Sequence, residues 1–155
     1  MNAAFAELTS ALDPAFRRLM AMDPCKPLGL PPVTPAAGVY VLTEGQKHLY
    51  VGRSNRLKKR LSNHCRESAT EKMAAFAFRL AREATGLTKA TYRPEGSRKE
   101  LMKNPIFLEA FEAAKARIRS MDVRVVEEAH PVRQCLLEVY VAVSLATPYN
   151  DFDTH

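Results

Sequence analysis

The pattern of apolar and polar positions is clearest between residues 38 and 65. Residues 38–43 form a β-branched and aromatic run, residues 48–52 form a second apolar run, and Gly45 lies in a turn signal between them. Ser54 or Asn55 is expected to cap a following helix, because a short side-chain oxygen can accept a free backbone N–H there. This stretch therefore predicts two strands followed by a helix.

That helix carries two stripes at i, i+4 spacing. One stripe is apolar and predicts the core-facing side: Leu57, Leu61 and Cys65. The other lies about 100° around the helix and consists of Arg56, Arg60 and His64. A guanidinium offers forked donors that suit phosphate oxygens, so this second stripe is a candidate phosphate-binding row. Taken singly, each residue also suits an ordinary surface arginine or a partly buried histidine.

Apolar spacing predicts further elements on both sides of this stretch. A proline-dense lead-in over residues 25–37 precedes it, and an alternating strand over residues 121–127 follows later. Pro131 is expected to begin a long helix that runs to about residue 146. The other predicted helices span residues 2–12, 15–22, 71–83 and 105–119, and residues 88–98 read as a loop.

The last helix contains an isolated carboxylate. Between Gln134 and Asn150 the only charged residue is Glu138, and most of its neighbours are apolar. Burying an ionised carboxylate without compensation costs several kcal/mol, so Glu138 must meet a cation, be protonated or emerge at a cleft. A structural salt bridge to an arginine is the simplest alternative. Ala142 follows on the same stripe and leaves room beside the carboxylate.

The positive charge of the chain is local. Its 23 lysines and arginines against 17 acidic residues give a net charge of +6. Seven of the basic residues fall between Glu44 and Glu67, where no acidic residue occurs, and the 16 that remain nearly balance the 17 acids. Such a concentrated patch is typical of polyanion binding, although a solvated helix face is the alternative. The seven are Lys47, Arg53, Arg56, Lys58, Lys59, Arg60 and Arg66.

Length and composition exclude several protein classes. A chain of 155 residues with 46% apolar and 26% charged residues suits one globular domain with an ordinary core. The three cysteines are scattered and odd in number, so they fit neither a disulfide framework nor a paired metal motif. No signal peptide or membrane-spanning run is apparent. We therefore expect a cytoplasmic protein without membrane contact, associated with the nucleoid if the source is bacterial.

Two triplets resemble the signature of the GIY-YIG nuclease superfamily. Gly38-Val39-Tyr40 is similar to the first triplet and Tyr50-Val51-Gly52 to the second. The resemblance implies an α+β fold with a small central three-stranded, mostly antiparallel sheet flanked by helices. It also divides the chain into an N-terminal helical and proline-rich extension over residues 1–37 and a nuclease domain over residues 38–155, with a helical insertion over residues 67–120.

The resemblance also implies hydrolysis of phosphodiester bonds in DNA, with one divalent cation, Mg²⁺ or Mn²⁺, per active site. Glu138 corresponds to the metal ligand, and Arg60 would grip the non-bridging phosphate oxygens. For the general base we predict Tyr50, assisted by Tyr40 or His64, and His64 is the rival base because it titrates nearer neutrality. The implied catalytic residues are thus Tyr40, Tyr50, Arg60, His64 and Glu138.

Substrate contacts follow from the same comparison and from the basic patch. The residues expected to bind or position DNA are Arg53, Arg56, Lys59 and Asn150. Branched or site-specific DNA and a homodimer are compatible with this prediction. The main alternative is a nucleic-acid-binding module that retains the fold without turnover. A weaker alternative is a structural homodimer formed by the N-terminal helices with Phe107 and Phe111.

Overall fold

The structure is a computed structural model of the chain, and it describes residues 1–87 and 97–154. Most of the loop expected over residues 88–98 therefore lies outside the described residues. The described chain divides into two compact units, the first formed by Met1–Arg60 with Met121–His155 and the second by Leu61–Ser120. No helix in the described ranges is long and apolar enough to cross a membrane.

The element order confirms most of the predicted helices and strands. The helices are α1 (Ala3–Ser10), α2 (Leu12–Ala21), α3 (Leu57–Cys65), α4 (Ala75–Thr85), α5 (Arg98–Leu101), α6 (Pro105–Arg119) and α7 (Pro131–Leu145). The strands are β1 (Gly38–Glu44), β2 (Lys47–Ser54) and β3 (Asp122–Glu127). Side chains mark several helix starts: Asn2, Asn104 and His130 each accept first-turn N–H groups.

The first unit is built on a three-stranded antiparallel sheet with strand order β2-β1-β3. This confirms the α+β prediction. Gly45 adopts a positive φ of 60° in the turn that joins β1 to β2, a conformation that favours glycine. Ser54 accepts the backbone N–H of Arg56, and the N–H of Leu57 donates to the carbonyl of Ala36, so both sides of the chain fix the start of α3.

One face of this sheet is covered by α2 and α7. The cluster that they form with the sheet comprises Leu12, Ala15, Leu19, Val39, Val41, Val51, Val126, Leu137, Val141 and Ala142. The N-terminal helix α2 thus contributes to the same core as the two signature strands. The proline-dense segment runs along β3, and Cys25 forms an isolated antiparallel bridge with Val123.

The second unit is helical. Its centre is the packing of α4 against α6, where the ring of Phe78 lies 5.0 Å from that of Phe107 and 6.3 Å from that of Phe111. The predicted dimer surface through Phe107 and Phe111 is wrong, because both side chains are buried inside this unit. The helix predicted over residues 71–83 begins instead at Ala75 and runs to Thr85, where Gly86 caps it with a φ of 77°.

Candidate active site

Two tyrosines lie side by side on the face of the sheet opposite α7. In the β1–β2 register Tyr40 is opposite Gly52 and Leu42 is opposite Tyr50, so the two tyrosines are diagonal neighbours on one face. Their ring centres are 6.3 Å apart with a 46° angle between planes. Tyr40 is fully buried, whereas Tyr50 is partly exposed. Only Tyr50 therefore has a surface that a substrate can reach.

At both signature glycines, Gly38 and Gly52, neighbouring atoms leave no space for a Cβ, and neither has the positive φ that favours glycine. A Cβ on Gly52 would overlap the ring of Tyr40, with 2.9 Å to Cε1 and closer contacts to Cζ and Oη. A Cβ on Gly38 would overlap the carbonyl of Val126 on β3, with 2.9 Å to the carbonyl carbon. Gly52 thus makes room for the Tyr40 side chain, and Gly38 allows β1 to pair closely with β3.

Arg60 joins the two tyrosines. It lies on α3, one residue before the buried Leu61, and its guanidinium donates hydrogen bonds to the phenol oxygens of both Tyr40 and Tyr50. Tyr40 also hydrogen-bonds Tyr50. Three residues that the sequence predicted to be catalytic therefore form one connected cluster within the first unit.

Burial keeps both phenols protonated near neutral pH. Desolvation is the largest influence on the pKa of Tyr40 and raises it far above its ordinary value. Desolvation also raises the pKa of Tyr50, while the charge and hydrogen bond of Arg60 oppose this rise. Arg60 thus favours ionisation of Tyr50, but its effect on the pKa does not outweigh that of burial.

Glu138 belongs to α7, which packs on the other face of the sheet, yet its charge influences both tyrosines. Its negative charge adds to the pKa rise of both tyrosines, so its carboxylate lies within electrostatic reach of them. Its Oε2 accepts a hydrogen bond from Nε of Arg53 at 3.0 Å, and 23% of its side-chain surface is exposed to solvent. The carboxylate has met a cation, as expected, and it has also emerged at the surface.

The Arg53–Glu138 pair differs from an ordinary stabilising salt bridge. Burial raises the pKa of Glu138 above its usual value despite the opposing charge and hydrogen bond of Arg53. Glu128 is also paired with an arginine, Arg133, at the same 3.0 Å, yet its pKa is lowered. The Glu128 carboxylate accepts a second bond from the backbone N–H of His130, which compensates its burial. The charge of Glu138 is therefore held at a site that does not fully stabilise it, which is typical of functional carboxylates.

Arg53 reaches Glu138 because of the two-residue period of β2. Arg53 shares a strand face with Val51, and that face is covered by α7. Its Nη1 lies 3.5 Å from Oε1 of Gln134, whose Nε2 donates to the Glu128 carbonyl oxygen at 2.9 Å. Sequence reasoning placed Arg53 on the substrate and missed this pairing, because strand alternation gives the face of β2 on which Arg53 lies but not the helix that packs against it.

Asn150 supports the second signature triplet from the side. Its Oδ1 accepts the N–H of Val51 at 2.8 Å, and its Nδ2 donates to the carbonyl of Val51 at 2.8 Å. The hydroxyl of Thr147 donates to the same Oδ1 at 2.7 Å. Since β2 is an edge strand, these bonds satisfy backbone groups that the sheet leaves unpaired. Asn150 thus holds Val51, the residue between Tyr50 and Gly52.

The remaining predicted site residues differ in accessibility. Arg56 and Lys59 are exposed near the start of α3, where a polyanion can reach them. His64, on the last turn of α3, is fully buried, and its ring meets that of Phe76 edge-on at 6.4 Å. A role for His64 as the rival base stays a prediction.

The donor set fits one hydrated divalent cation. Within the described ranges no group of three or more His, Cys, Asp or Glu residues converges on a point. Mg²⁺ keeps several water ligands and needs only one or two carboxylates, and Mn²⁺ accepts the same oxygen ligands. The partly exposed carboxylate of Glu138 would supply the protein ligand of such an ion.

Residues 36–96 match the family model of the GIY-YIG catalytic domain. The match confirms the resemblance of the two triplets and of α3 to this family, and it extends beyond His64 into the region that we interpreted as an insertion. It ends before β3 and α7, so Glu138 and Asn150 lie outside it. No curated protein and no solved structure matches the chain significantly.

Proposed function

We propose that this chain, a member of the GIY-YIG nuclease superfamily, is a divalent-metal-dependent endonuclease that hydrolyses phosphodiester bonds in DNA. One observation carries the proposal: the hydrogen-bonded cluster of Tyr40, Tyr50 and Arg60 lies within electrostatic reach of the incompletely stabilised carboxylate of Glu138. A proton acceptor, a phosphate-binding guanidinium and a metal ligand are the groups that this reaction needs.

The two tyrosines take different roles. Tyr50 is the partly exposed phenol and is the group that touches the attacking water. Tyr40 is buried, and its hydrogen bond to Tyr50 fixes the orientation of that phenol oxygen. Arg60 favours the ionised form of both phenols and can shift its donors to the non-bridging phosphate oxygens as negative charge develops on them.

Glu138 would hold the cation, Mg²⁺ or Mn²⁺. When bound, the cation supplies positive charge at the phosphate and favours ionisation of nearby oxygen acids. Arg53 orients the carboxylate through Oε2. Because Arg53 is 41% exposed at its side chain, it can exchange this contact for a substrate phosphate without a large desolvation cost.

The exposed cations near the start of α3 supply the DNA contact. Arg56 and Lys59 lie on an accessible part of the basic patch and would bind backbone phosphates without reading sequence. Asn150 acts as a positioning residue in this scheme, since its side chain is engaged with the backbone of Val51.

The test is a cleavage assay with supercoiled and linear DNA in Mg²⁺ or Mn²⁺. We expect Glu138→Gln and Arg60→Ala each to lower the rate by about 10²-fold or more, since each removes a group that stabilises the transition state. Glu128→Gln is the matched control for the carboxylate, and Lys72→Ala, at an exposed cation outside the basic patch, is the control for a lost cation; both should cleave near the wild-type rate.

Two results would overturn the proposal. The first is an absence of cleavage by the wild type across DNA forms and both metals, and salt-sensitive DNA binding in that case would favour the non-catalytic module. The second is cleavage by Glu138→Gln at the rate of Glu128→Gln. Binding of Mn²⁺, followed by its electron paramagnetic resonance signal, should be weakened in Glu138→Gln and unchanged in Glu128→Gln.

A further inference from the structure

Two arginines of the second unit lie over the same phenylalanine ring. The guanidinium carbon of Arg82 on α4 is 4.9 Å from the ring centre of Phe78, and that of Arg98 at the start of α5 is 5.0 Å from it. Phe78 is buried and packs against Phe107. The ring that both guanidiniums contact is therefore held in place by the core of this unit.

Arg82 is a nearly buried cation of the second unit. Only 9% of its area is exposed, and no carboxylate in the described part of the chain forms an ion pair with its guanidinium. The pKa of Arg82 is lowered, first by burial and then by the positive charge of Arg98. Burial of a charge and repulsion by a neighbouring like charge are both unfavourable. An anion bound between Arg82 and Arg98 would offset the desolvation of Arg82 and its repulsion by Arg98.

We propose that Arg82 and Arg98 form a phosphate-binding site that receives a backbone phosphate of the nucleic-acid substrate. A guanidinium whose carbon lies over an aromatic ring retains N–H donors that can make paired hydrogen bonds to phosphate oxygens. Arg98 presents the exposed side of the site, and its Nη1 donates to the carbonyl of Glu71 at 3.3 Å, which helps to fix its position.

This inference rests on the proposed function for the identity of the ligand. It gives the second unit its own part in substrate binding, separate from the tyrosine cluster of the first unit. The phosphate site itself follows from the two cations and the ring, so it can be tested without any cleavage measurement.

The first measurement uses inorganic phosphate with the full chain. Thermal unfolding is followed in phosphate and in chloride at equal ionic strength for the wild type, Arg98→Met, Arg82→Met and Lys72→Met. Methionine keeps an apolar chain over Phe78 and removes the charge, and Lys72 is an exposed cation of the same unit. We expect phosphate to raise the midpoint by a few degrees in the wild type and in Lys72→Met only. The exposed Arg98 provides a variant that should fold if Arg82→Met does not.

The second measurement is the salt dependence of binding to a DNA duplex in EDTA, which prevents cleavage. The slope of log affinity against log salt should fall by about 1 for Arg98→Met and stay unchanged for Lys72→Met. A wild type without a phosphate shift, or an equal shift in Arg98→Met, overturns the site. A lost phosphate shift with an unchanged DNA slope overturns the nucleic-acid ligand. If the wild type and all variants fail to cleave DNA but give the expected binding results, the proposed nuclease activity is refuted and the phosphate site is not.

Discussion

The contrast between Glu138 and Glu128 predicts opposite stability changes for the same substitution. Each carboxylate pairs with an arginine at 3.0 Å, and both pairs belong to the first unit. The pKa of Glu138 is raised from its ordinary value of 4.5, mainly by burial, whereas hydrogen bonds from Arg133 and the backbone of His130 outweigh burial and lower the pKa of Glu128. Replacement by glutamine should therefore separate a functional carboxylate from a structural one.

The expected size follows from the bonds and the exposure. Glu128→Gln weakens two charge-assisted hydrogen bonds on a side chain that is 11% exposed, and we expect a loss of about 1–2 kcal/mol, or about 2–8 °C in the unfolding midpoint. The partner of Glu138 is 41% exposed, so its ion pair contributes about 0–1 kcal/mol. Removing the buried charge of Glu138 offsets this loss, and Glu138→Gln should be neutral or slightly stabilising.

The pH dependence has opposite signs at the two glutamates. At Glu138 the folded state binds a proton more tightly than the unfolded state, whose pKa is 4.5. The free energy of unfolding therefore falls as the pH rises from 4.5 through the raised pKa of the folded state. The contribution of Glu128 is present above 4.5 and is lost as pH falls through its lowered pKa. Urea unfolding of wild type, Glu138→Gln and Glu128→Gln between about pH 3 and 8 measures both effects. If Glu138→Gln destabilises as much as Glu128→Gln near neutral pH, the Arg53 pair is an ordinary salt bridge and our reasoning about Glu138 fails.

Two further predictions concern the second signature triplet. Gly52→Ala should lower the free energy of unfolding by about 1–3 kcal/mol and slow cleavage, because the new methyl group must displace the buried Tyr40 ring. Gly29→Ala is the control: its Cβ would lie 3.8 Å from the nearest atom, so its free energy of unfolding in urea should be close to that of the wild type. An equal effect of the two substitutions would contradict the steric explanation. Asn150→Ala should cost about 2–3 kcal/mol, because it leaves both backbone groups of Val51 without their partner, and hydrogen exchange at the Val51 amide should rise more than at residues of β3. Unchanged protection of Val51 would show that water replaces the Asn150 side chain.

Local pattern was sufficient for most of the elements. The prolines at 105 and 131 correctly marked the starts of α6 and α7, and the turn at Gly45 correctly separated β1 from β2. The apolar stripe of α3 is fully buried, as its i, i+4 spacing predicted. These features depend on backbone preference and on which side of one element faces the core, and both are properties of neighbouring residues.

The glycines differ in whether neighbouring residues explain them. The positive φ of Gly45 is typical of a turn and is visible in the sequence as a turn residue. The need for glycine at 38 and 52 arises from Val126 and Tyr40, which approach only after the strands pair. A family signature identifies these two positions, but the steric reason for them is a property of the assembled sheet.

The amino-acid sequence by itself determined the three strands and most of the helices, the basic stretch and the candidates Tyr40, Tyr50, Arg60 and Glu138. Tertiary structure alone decided that Arg53 pairs with Glu138, 85 residues away, that Asn150 binds the backbone of Val51, and that Arg82 and Arg98 share one ring. The reason is physical: periodicity along the chain fixes the direction of a side chain, whereas its partner, its burial and its pKa depend on which distant element packs against that face.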